Sequence, residues 1–167
     1  LGIIQKLPRL VCAHAEGANP LYRSYLTGFE EIEPVVAKST LATAIQIGNP
    51  VSIMRAIPIL RRFTGIVEQA SEDELADASA KADRSGLFSC PQTGVALAAL
   101  LKLTGNGTIQ SHERVIVMST ANGLKFVDFK VGYHSNALEE VESVLANTPV
   151  ELPGQYDSVI KAIESAV

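Results

Sequence analysis

Short, continuously apolar runs alternate along this chain with segments whose apolar residues recur at helical spacing. The clearest run is 114–118 (Arg-Val-Ile-Val-Met), which we predict to be a buried strand, and 10–13 and 65–70 are further candidates. Strands that are apolar at every position are typical of parallel sheets covered on both faces. Because helical segments separate these runs, the sequence predicts an α/β fold, with a mostly parallel sheet flanked by helices.

Six segments carry helical patterns. The predicted helices are a short one opening at Pro20, then 51 to about 65, 71–81, 94–103, 137–145 and 156–163. Pro58 lies inside the second and predicts a kink. Ser71 and Glu74 have the spacing of a capping box, and Gly-Asn-Gly at 105–107 can end the fourth helix.

Composition excludes several classes of protein. The 167 residues are 47% hydrophobic, enough for the core of one domain, and 14 basic against 18 acidic residues give a net charge of −4. This balance argues against nucleic-acid binding. The longest nearly uncharged stretch, 87–101, is interrupted by polar residues and falls short of the roughly 20 apolar residues that span a bilayer.

Cysteine and histidine usage points to reduced thiols and no metal centre. Cys12 and Cys90 lie far apart in apolar segments, which suits buried thiols in a reducing compartment better than a disulfide. The three histidines are dispersed, with no pair at metal-ligand spacing. Residues 1–8 read like a helix end that runs into a loop, and not like a signal peptide, so we expect the chain to begin inside a larger protein.

The best candidate site is the segment 119–123 (Ser-Thr-Ala-Asn-Gly), which directly follows the strand predicted at 114–118. In open parallel sheets, ligands bind beyond the carboxyl ends of the strands. The hydroxyls of Ser119 and Thr120, the carboxamide of Asn122 and the small Gly123 offer neutral hydrogen-bonding groups where a backbone can approach a ligand closely. The alternative is a polar turn between a strand and a loop.

Other polar residues are weaker candidates. Thr93 and Gly94, at the start of an apolar helix, could direct free amides at an anion, and Asn49 could contact a ligand from its turn. The acidic run 72–74 belongs most simply to a capped, solvated first turn. Lys125 stands between apolar neighbours, as a Schiff-base lysine can, but a structural or solvent-reaching lysine is the simpler interpretation.

Five segments, taken together and in order, resemble plant-type threonine synthases. They are residues 8–13 with 18–22, 39–50, 90–96, 119–126 and 133–137. The likeness extends over essentially the whole chain. Any one segment alone would be a weak signal, but five ordered matches are specific.

This resemblance implies a fold-type-II pyridoxal-phosphate enzyme, a carbon–oxygen lyase that is usually a homodimer and converts O-phosphohomoserine and water to threonine and phosphate. It places Thr120 against the pyridine nitrogen of pyridoxal 5'-phosphate, with Ser119 and Asn122 as weaker cofactor contacts. It also implies that residues 1–130 form part of the catalytic region and 131–167 a helical tail. The expected location is the plastid for a plant protein and the cytoplasm otherwise.

The chain departs from the family pattern in ways that leave alternatives open. The plant pattern usually has His where this chain has Gln92 and Asn122. The Schiff-base lysine, the substrate-phosphate contacts and the cofactor-phosphate loop of the family match positions upstream of Leu1, so this chain is expected to be inactive alone. A serine or threonine dehydratase-like lyase and a catalytically inactive interaction module are the alternative hypotheses.

Overall fold

In a computed structural model, which describes residues 2–166, two parallel strands lie between layers of helices. Strands β1 (Val11–Ala15) and β2 (Ile66–Ala70) pair in register from Val11 opposite Ile66 to Ala15 opposite Ala70. The helices are α1 (Pro20–Leu26), α2 (Ile53–Arg62), α3 (Glu72–Asp83), α4 (Pro91–Gly105), α5 (Val127–His134) and α6 (Tyr156–Ala166). The predicted α/β fold is confirmed.

Both faces of the sheet are covered. On one face, Ala15 and Ala70 pack with buried residues of α3, α4 and α5, among them Leu75, Val95 and Tyr133. On the other face, Val67 packs with residues of α1 and α2, and these are Leu21, Ile57 and Leu60. Alternate residues of each strand face opposite layers, which is why apolar residues occupy successive positions at 11–13 and at 66–67.

Helices α3 and α4 form the tightest helix pair. The capping box predicted at the start of α3 is confirmed, since the Glu74 amide donates to Ser71 Oγ (3.2 Å) and the Ser71 amide donates to Glu74 Oε2 (2.9 Å). Gly94 lets α4 approach α3 closely, because a Cβ there would lie 2.4 Å from the Leu75 carbonyl oxygen. Helix α4 ends at Gly105, as the Gly-Asn-Gly sequence predicts.

Two predicted elements are absent. Residues 114–118 belong to no strand or helix, and Ile116 and Met118 are 87% and 74% exposed, so the prediction of a buried strand there is wrong. The reason is that β1 and β2 pair with each other, and no other described strand hydrogen-bonds to this segment. The helix predicted at 137–145 is also wrong, because left-handed backbone at Asn136 (φ 55°) and Glu140 (φ 57°) interrupts it.

The remaining expectations are mixed. Pro58 lies inside a continuous α2, and the kink it predicts stays a prediction. The expected division between residues 130 and 131 falls inside α5 and stays a prediction as well. Cys12 and Cys90 are free thiols, as expected. Helices among residues 2–166 are all too short or too polar to cross a membrane.

Candidate functional site

The segment 119–123 lies against the start of α4, so two regions singled out in the sequence come together. Ser89 and Asn122 form an isolated antiparallel bridge. The Cys90 amide donates to the Ala121 carbonyl oxygen (3.1 Å), and the Gly123 amide donates to the Phe88 carbonyl oxygen (2.9 Å). These backbone bonds fix the polar segment beside the first turn of α4.

At this junction Cys90, Thr93 and Thr120 form a hydroxyl–thiol cluster. The Thr120 amide donates to Thr93 Oγ1 at 3.2 Å. Cys90 Sγ lies 3.2 Å from Thr93 Oγ1 and 3.5 Å from Thr120 Oγ1. Cys90 and Thr93 are 0% and 1% exposed, whereas Thr120 is exposed. Two members of the cluster are therefore buried, and the third is accessible from the surface.

Cys90 caps α4 with its sulfur, which accepts the Thr93 amide at 3.4 Å. Burial of the thiol opposes its ionisation, but hydrogen bonds with the Thr93 and Thr120 side chains and with the Thr93 and Ala121 backbone together outweigh burial. The pKa of Cys90 is therefore below its usual value.

A buried ion pair, formed by Lys130 and Asp83, lies near the cluster. Lys130 Nζ donates to Asp83 Oδ1 and Oδ2 (2.9 and 2.6 Å) and to Ser79 Oγ (2.7 Å), and it lies 4.9 Å from the centre of the Phe88 ring. Burial lowers the pKa of Lys130, and the Asp83 carboxylate partly offsets that effect. A Cβ at Gly123 would lie 2.9 Å from Lys130 Cε and from Phe88 ring atoms, so only glycine fits there without rearrangement.

Sequence reasoning missed this ion pair. Lys130 and Asp83 are separated by 47 positions and lie in different helices, so no local pattern relates them. The available signal was a lysine between the apolar residues Phe129 and Val131, which indicates a cation that needs a partner if its helix is buried.

The structure places the other candidates apart from the cluster or in structural roles. Ser119 is exposed, and Asn122 Oδ1 accepts the Leu124 amide (2.9 Å) as the cap of a short 3-10 helix, Gly123–Lys125. Asn49 and Lys125 are exposed. Gln92 is half-buried, and its Nε2 has no hydrogen-bond partner among the described residues.

The acidic run 72–74 forms the capped first turn of α3, as predicted, and also contacts other segments. Besides the capping role of Glu74, the Glu72 carboxylate accepts the Leu41 amide (2.8 Å) and Asp73 accepts the Glu142 amide (2.8 Å). All three carboxylates therefore hold chain segments together. In the part of the chain that the structure describes, no group of three His, Cys, Asp or Glu residues could hold a metal ion.

Comparison with known proteins decides the family. The model of the family described as "Pyridoxal-phosphate dependent enzyme" matches residues 2–121, most of the chain and all of the hydroxyl–thiol cluster. The chain belongs to this family of pyridoxal-phosphate-dependent enzymes. The fold class, the family and the family's cofactor expected from sequence are thereby confirmed.

Curated relatives within the pyridoxal-phosphate-dependent enzymes are threonine synthases. "Threonine synthase 2, chloroplastic" of Arabidopsis thaliana is 50% identical over 165 residues, 98% of this chain and 32% of that protein. "Threonine synthase" of Methanocaldococcus jannaschii is 34% identical over 128 residues, 76% of this chain and 32% of that protein. "Threonine synthase" of Mycobacterium tuberculosis strain H37Rv is 34% identical over 145 residues, 86% of this chain and 36% of that protein. The chain spans about a third of the length of these relatives.

Proposed function

We propose that this chain is part of a threonine synthase, and that the longer protein converts O-phosphohomoserine and water to threonine and phosphate with pyridoxal phosphate. The observation that carries the proposal is the 50% identity over 98% of the chain to a plant threonine synthase. The lower identities to archaeal and mycobacterial threonine synthases support the same reaction.

Thr120 is the residue that we assign to the cofactor. The cofactor, when bound, supplies an electron-withdrawing ring that lets a C–H bond break and a leaving group depart. The exposed Thr120 hydroxyl can donate a hydrogen bond to the neutral ring nitrogen, but an alcohol is too weak an acid to protonate it. By leaving the ring nitrogen unprotonated, Thr120 would favour elimination and replacement over transamination.

The donor set around Thr120 fits a neutral nitrogen. Its described side-chain neighbour is a thiol, and its amide is bound by a hydroxyl oxygen, so no carboxylate contacts it. The Lys130 cation beneath the cluster is paired with Asp83. Ser119 and Asn122 remain weaker candidate contacts, because Ser119 is exposed next to Thr120 and Asn122 already caps a 3-10 helix.

We assign no catalytic residue to this chain. The Schiff-base lysine is proposed to lie in a part of the longer protein that precedes the residues described, and the exposed Lys125 and the paired Lys130 are not assigned that role. The same reasoning predicts that the 167 residues alone form no threonine.

The test is a substrate assay of the longer protein that contains these residues. We expect phosphate and threonine in equal amounts from O-phosphohomoserine, and visible absorption from bound cofactor. Production of 2-oxobutanoate from threonine, without phosphate release from O-phosphohomoserine, would assign a dehydratase instead. A folded protein that binds no cofactor would contradict the proposal and indicate an inactive module.

We further infer a homodimer in the plastid. The location is supported by the word "chloroplastic" in the name of the Arabidopsis relative, and the dimer by the family resemblance alone. Light scattering measures the mass of the longer protein in solution and so tests whether it is a homodimer. A fluorescent fusion in plant cells tests the plastid location.

A further inference from the structure

We propose that Cys90 and Thr93 are positioning residues that turn the hydroxyl proton of Thr120 outward, toward the acceptor atom of the bound cofactor. The inference deepens the proposed function and rests on it, because it takes the ring nitrogen of pyridoxal phosphate as that acceptor. It follows from counting donors and acceptors within the hydroxyl–thiol cluster.

Thr93 sets the direction of the first hydrogen bond. Its Oγ1 accepts the Thr120 amide at 3.2 Å, so the atom must direct its own proton elsewhere. Thr93 is 1% exposed, and leaving a buried hydroxyl proton without an acceptor is costly. Among residues 2–166, its only other partner is Cys90 Sγ at 3.2 Å. The Thr93 hydroxyl therefore donates to the sulfur.

Cys90 accepts hydrogen bonds from Thr93 and donates one to Thr120. Its sulfur accepts both the Thr93 hydroxyl at 3.2 Å and the Thr93 amide at 3.4 Å. The thiol proton then has one partner within the described cluster, Thr120 Oγ1 at 3.5 Å, and donates to it.

Thr120 is the last residue in this series of hydrogen bonds, and its hydroxyl acts as a donor. Its oxygen accepts the Cys90 thiol proton and its amide is held by Thr93, so neither can turn away from the cluster. The hydroxyl proton has no acceptor among the side chains and carbonyls that the structure describes, and the residue is exposed. A ligand with a neutral acceptor atom, such as a pyridine nitrogen, satisfies this proton.

If the hydrogen bond between Cys90 and Thr120 ran in the opposite direction, removing the thiol would have the opposite effect on cofactor binding. This difference makes the proposal testable. If the Thr120 hydroxyl donated to Cys90 Sγ, its proton would be withheld from the cofactor. Removing the thiol would then release the proton and tighten cofactor binding. In the direction proposed, removing the thiol leaves Thr120 without its orienting donor and weakens binding.

The experiment titrates the longer apoprotein with pyridoxal phosphate and records the visible absorption band of the bound cofactor. We expect Cys90→Ala and Thr93→Val each to weaken binding about three- to tenfold, the effect of one lost hydrogen bond. Both should also shift the band in the same direction as Thr120→Val. Cys90→Ser and Thr93→Ser keep the donors and acceptors, and they should restore affinity and band position.

The matched control is Thr104→Val. Thr104 lies in the same helix, and its exposed hydroxyl donates to the Leu100 and Leu101 carbonyl oxygens, away from the cluster. It should leave affinity and band unchanged. If the Ala and Val variants do not fold, the Ser variants carry the test, and a Cys90→Ser protein with the band of Thr120→Val would overturn the proposal.

Other outcomes separate this inference from the proposed function. Unchanged or tighter binding in Cys90→Ala, together with a shifted band in Thr120→Val, would overturn the positioning role and leave the Thr120 contact intact. An unchanged band in Thr120→Val would instead refute the contact between Thr120 and the ring, and the positioning role with it.

Discussion

Thr120 owes its proposed role to a neutral setting, and a charge introduced there should change the chemistry of the ring. In Thr120→Asp, a carboxylate would replace the alcohol opposite the ring nitrogen and favour its protonation. We expect a changed cofactor absorption band and at least a tenfold lower rate of threonine formation in the longer protein. Thr120→Ser keeps the hydroxyl and should keep both properties near their original values.

Unchanged spectra and rates in Thr120→Asp would show that this residue does not contact the ring. The measurement needs only the purified longer protein, absorption spectroscopy and a threonine assay.

Gly123 shows how closely the chain approaches itself beside Thr120. In Gly123→Ala the new methyl group would lie 2.9 Å from Lys130 Cε and Phe88 ring atoms, so we expect a loss of about 1–3 kcal/mol in the free energy of unfolding. Urea denaturation measures the loss. The control is Gly105→Ala, where no atom lies within 4 Å and helix propensity favours alanine by up to about 1 kcal/mol. Equal stability of the two variants would contradict the close contact.

At the scale of elements, Lys130 ties α5 to α3. Lys130 is 5% exposed and pairs with Asp83, so Lys130→Met should leave an unpaired, mostly buried carboxylate and cost about 3–5 kcal/mol. Replacing both partners, in Lys130→Met with Asp83→Leu, should recover most of that loss in urea denaturation. If the double variant is as unstable as the sum of the two single variants, the ion pair is not the cause.

Tyr133 makes a second link between the same helices, and this one depends on pH. Its hydroxyl donates to Asp77 Oδ1 (2.5 Å) and accepts the Leu145 amide (3.0 Å). Burial and the bond to Asp77 raise the pKa of Tyr133 to about 12. The folded state therefore holds the phenol proton more tightly than the unfolded state, whose pKa is about 10.

We expect the Tyr133 contribution to stability to be complete below about pH 10 and to be lost as the pH rises toward 12. The loss should be on the order of 2 kcal/mol. Urea denaturation between pH 10 and 12, the range set by these two pKa values, measures it. Tyr133→Phe should remove this part of the pH dependence, whereas Tyr156→Phe, a change at an exposed tyrosine, should keep it.

Local pattern predicted most elements but not the contacts between them. Strands β1 and β2, helices α1 to α4 and the capping box at Ser71 and Glu74 are all signalled by residues close in sequence. The segment of Thr120 is singled out because it follows an apolar run, and the role of Thr120 at the cofactor stays a proposal. The pair of Lys130 and Asp83 and the thiol of Cys90 beside Thr120 depend on tertiary packing, so no periodicity indicates them.

The two wrong elements have physical causes of the same kind. The segment 114–118 has a strand's composition, but a strand also needs a partner, and none pairs with it in the described chain. The pattern at 137–145 suits a helix, but Tyr133 and Asp73 accept the amides of Leu145 and Glu142, and these bonds hold the segment in turns.

For the whole molecule, the exposed apolar segment predicts how the chain behaves in a longer protein. Val115, Ile116 and Met118 are 45%, 87% and 74% exposed, and apolar surface of this kind favours association. We expect residues 114–118 to exchange amide hydrogens rapidly in the isolated chain and slowly in the longer protein. Ile116→Lys should raise the solubility of the isolated chain and lower the free energy of unfolding of the longer protein. An unchanged stability of the longer protein would contradict burial of Ile116 there.

The parallel pairing of β1 with β2 also sets an order of events during translation. The ribosome releases β1 first, and its hydrogen-bonding partner emerges only after α1, the long loop and α2. Helices α3 and α4, in contrast, are neighbours in sequence and can associate as soon as both are made. During synthesis, the edge of β1 that binds β2 must therefore wait for this partner until the chain has been made up to Ala70, and chaperone binding to that edge would be most useful in this interval.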